Sequence, residues 1–366
     1  MSPNKDDRMK RFPRFAAGLL GLALLAACTK DEGPEYAIPD TYTFSPMNFE
    51  GQTIRLDMLE VLTAYAKTGN EGAVLDADRL ADLFANEGAP FGDERLDGSG
   101  KRLRDKVFSP DLGYFDQALA NLAASSASAG APAAAGQAGI VANGASAYLV
   151  DENGVEWTQL VEKGLMGACF LYQAVGNYLS VEGMDVDNAA VDPVNGTEMA
   201  HHWDEAWGYT AFPADFGSAS DAAGLRFWAK YVRGRENGLP GLSDRLAEAF
   251  RTGRAAIGAK DYATRDAQIA VIAAQWERAS GATAIHYLNA AMADFGDDAV
   301  RCHALSEALA FARGARYVPE PQLDAAGLAE VEALIGMNFW TVTLADLQAA
   351  RTRLATAYGI NNPSAL

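Results

Sequence analysis

The 366-residue chain has little cysteine, little histidine and a shortage of positive charge. Its three Cys form no CxxC pair, which excludes a zinc ribbon, a thioredoxin-type redox motif, a haem-attachment site and a disulfide framework. Thirty basic residues stand against 48 acidic ones, a formal charge of −18. Such a balance excludes a nucleic-acid partner, because phosphate binding needs clustered Lys and Arg. The HExxH of zincins, the GxSxG nucleophile elbow and the Walker phosphate loop are all missing, and SxxK occurs only at Ser2-Pro3-Asn4-Lys5, ahead of the first apolar stretch. Gly100-Lys101 lacks the flanking Gly and Ser/Thr that a phosphate loop requires. What is plentiful is apolar surface: 49% of residues are hydrophobic and 21% charged, enough to bury a core and too apolar for a disordered chain.

Residues 1–27 read as a leader. Lys10, Arg11 and Arg14 precede an apolar stretch from Phe15 to Ala27 that is too short and wrongly flanked for a permanent span. It ends at Leu25-Ala26-Ala27-Cys28, which resembles a bacterial lipobox, so Cys28 is the expected lipidated first residue of the mature protein. Residues 28–40 then form a tether, and 41–366 the folded domain. Losing residues 1–27, with five basic and two acidic side chains, takes the formal charge from −18 to −21. Several acyl chains give stable anchoring, at about 0.8 kcal/mol per buried methylene. Thr29 is not the Asp that retains lipoproteins in the inner membrane, and Cys28-Thr-Lys-Asp-Glu resembles a surface-export signal. The expected location is the outer membrane, facing the periplasm or the cell surface.

Beyond Gln52 the apolar residues recur at helical spacing, beginning with Ile54, Leu56, Leu59, Leu62 and Tyr65. Further helices are expected over 75–86, 109–126, 156–182, 197–208, 221–234, 242–259, 262–294, 297–315, 324–335 and 343–357. Ser109-Pro110-Asp111, Asp221, Ser243 and Thr343 stand as start signals, Gly296 and Gly359 as stops. No run alternates β-branched residues, so the fold class is all-α. Residues 88–105 are expected to form a polar loop. The Ala/Ser/Gly-rich stretch 120–147 is expected to be a flexible loop, with Gly139–Leu149 as a possible helix of small residues.

The four His are His201, His202, His286 and His303. On a helix His202 and Glu205 share a face, as do His201 with Glu205 and His303 with Glu307. A neutral imidazole beside a carboxylate suits a transition metal. Composition alone gives any one His such a neighbour roughly 40% of the time. The weight therefore rests on the cluster of His201, His202, Asp204 and Glu205 between Trp203 and Trp207. His286 reads as a packed helix residue, nine positions from Glu277 and so on the opposite side. Cys169 reads as inert core, and Cys302 points away from its neighbour His303.

At Ala200-His201-His202-Trp203-Asp204-Glu205 the chain resembles the GxHxxE motif of imelysin-like bacterial lipoproteins, with Ala200 in the place of Gly. It is more similar still to an uncharacterised lipoprotein family sharing Tyr42-Thr43-Phe44, Gly51 to Leu59, the central HHWDEAWGY and a late HALSEALAF around His303, over roughly 41–357. The resemblance implies two four-helix-bundle-like halves, 41–215 and 216–366, and a role in metal acquisition beside an outer-membrane uptake system. It implies His202 and Glu205 as ligands of a divalent or trivalent ion, Fe or Zn first. Glu60, His303 and Glu307 are candidates from residue type and placement to complete the shell. The alternatives are a metal-dependent hydrolase with Glu205 as base, and a structural or adhesive lipoprotein in which HHWDE is a folding motif.

Overall fold

A computed structural model describes residues 36–366, and the leader and Cys28 lie outside the described residues. Thirteen α-helices order the described residues: α1 (Glu50–Lys67), α2 (Ala77–Ala85), α3 (Glu94–Asp97), α4 (Leu112–Ser126), α5 (Trp157–Leu165), α6 (Val181–Met184), α7 (Glu198–Gly208) and α8 (Phe227–Gly234), then α9 (Leu242–Ala259), α10 (Tyr262–Ala293), α11 (Asp298–Ala312), α12 (Ala325–Ile335) and α13 (Leu344–Ala357). The all-α expectation holds, with one small departure. Gly139–Asn143 (β1) and Ser146–Val150 (β2) pair antiparallel, Val141 opposite Tyr148. The Ala/Ser/Gly-rich tail is thus neither loop nor helix. Gly144 takes φ +59° in a two-residue turn, and Val141 and Leu149 go inward while Asn143 and Ser146 stay out.

The middle of the fold is the 32-residue α10, about 48 Å long. It packs between α9 and α11, which in turn carry α7 and α5. Its buried stripe runs through Ile272, Trp276, Ala279, Ile285 and Leu288. Trp203, Trp207, Trp228, Phe250 and Phe311 fill the space around it. Trp203 lies directly on α9 at Gly253, where any Cβ would fall 2.1 Å from its ring. Glycine there is a packing requirement.

Local capping explains most boundaries. Thr343, Asp324, Asp297, Thr197 and Asp76 each accept a backbone N–H of the first turn they precede. Asp221 does not start a helix: it bonds Ala223 N in a turn, and α8 begins only at Phe227. Ser243 sits inside α9, after Gly241, with its hydroxyl on Glu236. Ser109–Asp111 is a 3₁₀ turn ahead of α4, with no side-chain cap. The polar segment 88–105 contains α3 and buries Leu96 and Leu103. Between α5 and α6 the chain continues as a π-helix over Met166–Tyr178. Runs of i→i+5 bonding are rare and concentrate at functional sites.

Candidate functional site

Helix α7 separates HHWDEAWGY into two faces. Thr197 caps it by accepting Ala200 N at 3.2 Å. The inner face holds Ala200, Trp203, Asp204 and Trp207, all buried. Trp203 Nε1 donates to the Phe250 carbonyl, and Trp207 stacks on Tyr42 with ring centres 4.0 Å apart. Asp204 has no exposure; it accepts from Tyr42 Oη at 2.6 Å and Arg254 Nε at 2.9 Å. Burial lifts its carboxyl above the usual range, against the pull of Arg254. Asp204, expected among the ligands, is instead the clasp that holds the entering N-terminal segment and α9 to α7.

The other face carries His201, His202 and Glu205, all partly buried. Glu205 Oε1 accepts from Gln52 Nε2 of α1 at 2.7 Å and from Tyr178 Oη of the π-helix at 3.1 Å. Its Oε2 lies 3.9 Å from His201 Nε2, while His201 Nδ1 is buried without a partner among the described residues. His202 Nδ1 meets the Gly183 carbonyl at 2.6 Å. A carbonyl only accepts, so Nδ1 bears the proton and neutral His202 keeps its lone pair on Nε2. The Tyr178 ring lies 5.6 Å from the His202 ring, so one phenol touches both residues. Lys106 Nζ stands 3.5 Å from Tyr178 Oη, its pKa lowered by burial and by Arg55. Arg55 itself bonds only the carbonyls of Arg102 and Gly51. The Tyr209 hydroxyl nearby is buried with no hydrogen-bond partner among the described residues, and burial pushes the Cys169 thiol up to about 12.

The residues expected to complete a coordination shell lie elsewhere. Glu60 is exposed and ion-paired with Arg226 at 2.8 Å. His303 and Glu307 do not converge on one point: one turns to Glu156, the residue before α5, and the other to Lys163 within it. His303 Nδ1 meets Glu156 Oε2 at 2.6 Å, and Glu307 Oε1 faces Lys163 Nζ at 3.4 Å. Among the described residues no group of three or more His, Cys, Asp or Glu is placed to hold a metal ion. His286 is half-buried with its pKa lowered by burial and Arg235, and Glu277 instead accepts from the backbone of Gln322 and Leu323.

This α5–α11 seam is a second polar centre. Glu156 is fully buried; Gln159 Nε2 donates to its Oε1, and its own N–H donates to Ser306 Oγ. Tyr148 of β2 stacks on His303, ring centres 4.1 Å apart. Lys163 Nζ also holds Glu162 at 2.9 Å, and Lys67 reaches Glu162 from outside at 3.1 Å. Burial opposes a charged His303, but the Glu156 hydrogen bond and the charges of Glu156 and Glu307 outweigh it and the repulsion of Lys163, so its pKa is raised. A raised histidine stabilises the fold fully below its usual value near 6.5 and loses that contribution as pH rises through the folded-state value. His303→Gln should therefore cost most stability near pH 6 and progressively less toward pH 9, read from urea midpoints. A penalty that grows with pH would contradict the pairing.

Gln52, Tyr178 and Lys106 at the first centre, and Glu156, Gln159 and Lys163 at the second, were not singled out from sequence. Gln52 stands in the Gly51–Leu59 block, and Glu156, Gln159 and Lys163 have the spacing of one helix face; both signals were present. Residues 39–361 match the family defined by DUF4856, a domain of unknown function. The chain belongs to the DUF4856 family. No curated protein and no solved structure matches it. The Gly51–Leu59 and HHWDEAWGY blocks meet at Glu205, and the late HALSEALAF block supplies the α11 side of the seam.

Proposed function

We propose that this DUF4856 protein is an envelope lipoprotein, anchored through Cys28, that binds a transition-metal ion at His202 and Glu205 and serves in metal acquisition. The observation that carries the reading is the 2.6 Å contact of His202 Nδ1 with Gly183 O. Metal-binding imidazoles are held by such a bond through the nitrogen that does not ligate, which fixes tautomer and ring direction. Glu205 supplies a carboxylate one turn on, oriented by Gln52 and Tyr178. The likeness of the AHHWDE run to the imelysin-like motif, and with it the two-halves architecture, supports the same reading. Two protein donors make an open site, so water or ligands arriving with the ion fill the remaining positions. Iron and zinc suit the mixed nitrogen and oxygen donors.

Calorimetric titration of the wild type and His202→Ala with Fe, Zn and Mn tests this. Binding should be moderate in the wild type and weaker by tenfold or more in the variant, about 1.4 kcal/mol or above. The far-UV helical spectrum should be unchanged, because His202 is partly exposed and bonds one carbonyl. Equal titrations would reject His202 as a ligand. A variant that loses its helical spectrum would favour a purely architectural motif.

A further inference from the structure

Seven large hydrophobic side chains are conspicuously exposed among the described residues, and four of them lie on two stretches that hydrogen bonds join, 181–194 and the start of α10. Val181 opens α6 at 84% exposure, Val191 and Val194 follow in the connection to α7 at 65% and 59%, and Tyr262 opens α10 at 38%. The contacts tie these elements together. Asn188 Nδ2 bonds the Tyr262 hydroxyl at 3.2 Å and the Ile257 carbonyl at 2.8 Å. Arg265 of α10 reaches the Met184 carbonyl at the end of α6. The described chain also begins here: Tyr36 Oη donates to Asp261 Oδ2, the residue before Tyr262, at 3.0 Å. Isolated exposed valines need no explanation, but four exposed apolar side chains on two joined stretches do.

We propose that Val181, Val191, Val194 and Tyr262 on these joined stretches form a lipid-docking face that seats the domain on the membrane to which Cys28 is anchored. The proposal rests on the anchoring reading above. Tyr36 is eight residues from Cys28, and eight residues span at most about 29 Å even fully extended. A short tether places whatever lies beside Tyr36 within reach of the bilayer and gives it an effective concentration in the millimolar range. A weak apolar face then suffices to orient the domain, where a free domain with the same residues would not bind. Residues 181–198 hold five acidic side chains and no basic one, so the face fits an uncharged or zwitterionic surface. Anionic lipid should weaken the docking at low salt, the reverse of polybasic membrane binding.

The mature chain from Cys28, made without its leader, is coupled at Cys28 to a maleimide phospholipid in phosphatidylcholine–phosphatidylethanolamine vesicles. Cys169 and Cys302 do not compete, being buried with thiols pushed up to about 12. Hydroxyl-radical footprinting should show labelling of Val181, Val191, Val194 and Tyr262 falling several-fold relative to the uncoupled chain. Val74, Met337 and Leu344, the other exposed large hydrophobics, should stay unchanged. The V181S/V191S/V194S chain should lose the protection of Tyr262 while keeping its helical spectrum, and added phosphatidylglycerol should reduce protection at low salt. Unchanged labelling at the four positions overturns the proposal. So does protection without vesicles that grows with protein concentration, which makes the face a contact between copies. Membrane flotation of cell envelopes distinguishes this from failure of the anchor. A Cys28→Ser chain that still floats removes the anchor and the proposal with it, whereas unprotected valines on the lipid-coupled chain remove the proposal alone.

Discussion

Asp204→Ala is expected to destabilise the domain by about 3–5 kcal/mol, the range for removing one partner of a buried ion pair. The carboxylate is completely buried, and Arg254 is nearly so. Without Asp204 the guanidinium keeps one carbonyl acceptor, Pro46 O at 3.2 Å, and its charge has no counterpart. The Tyr42 hydroxyl, equally buried, loses its acceptor as well. Asp204→Asn should cost less, because the amide oxygen still accepts from Tyr42 while the charge is lost. The pair itself is not a large net gain, since burial raises the Asp204 pKa in spite of Arg254. Asp204→Leu with Arg254→Met should accordingly lie closer to the wild type than either single change. Urea unfolding at pH 7 reads all of these. An Asp204→Ala midpoint within about 0.5 kcal/mol of the wild type, as for surface substitutions, would return Asp204 to the candidate ligands.

The same helix therefore carries a structural face and a chemical one, and helical spacing shows why. Positions 200, 203, 204 and 207 fall on the side toward α9, while 201, 202 and 205 fall on the side toward α1 and the π-helix. A motif read as a string places Asp204 beside Glu205; on the helix they are about 100° apart. This is how His202 and Glu205 were legible as a pair while Asp204 was not legible as a clasp. Its partners Tyr42 and Arg254 are 162 and 50 residues away, a separation that no local pattern encodes.

The helices were legible where an apolar stripe and a cap agreed. Helix α9 follows its stripe to the residue, and α12 and α13 start one residue after Asp324 and Thr343, as their caps dictate. Asp221 misled because an Asp that bonds two residues on makes a turn as readily as a helix start. The hairpin was missed because Ala142, Ala145 and Ala147 dilute the alternation, although a Gly opening a two-residue turn, here Gly144-Ala145 between Ile140-Val141 and Tyr148-Leu149, is a hairpin signature. Tyr178 was hidden for another reason. It stands in an apolar run whose i→i+5 bonding changes which residues share a face, so a 3.6-residue period cannot place it against Glu205.

Lys163→Met should cost a further 3–5 kcal/mol or so at pH 7, again by leaving buried charge unpaired. Lys163 is the cation that Glu162 and Glu307 share inside the α5–α11 seam, at 2.9 and 3.4 Å. Burial works against its charge, but the two carboxylates overcome this and raise its pKa well above the ordinary lysine range. Glu307 is buried to the same degree as Lys163, and its Oε2 has no partner among the described residues to fall back on. The pH dependence has a definite sign. Burial opposes ionised Glu162, yet Lys163 and Lys67 hold its pKa below the usual value. A depressed carboxylate contributes stability above its unfolded pKa near 4.3 and loses it as pH falls through the folded-state value. The Lys163→Met penalty should thus be largest at neutral pH and shrink on acidification below about pH 4, as Glu162 protonates. Methionine retains most of the stem volume, so a penalty independent of pH would mean lost packing rather than lost charge. Thermal and urea midpoints of the two proteins from pH 7 to pH 3 separate these outcomes.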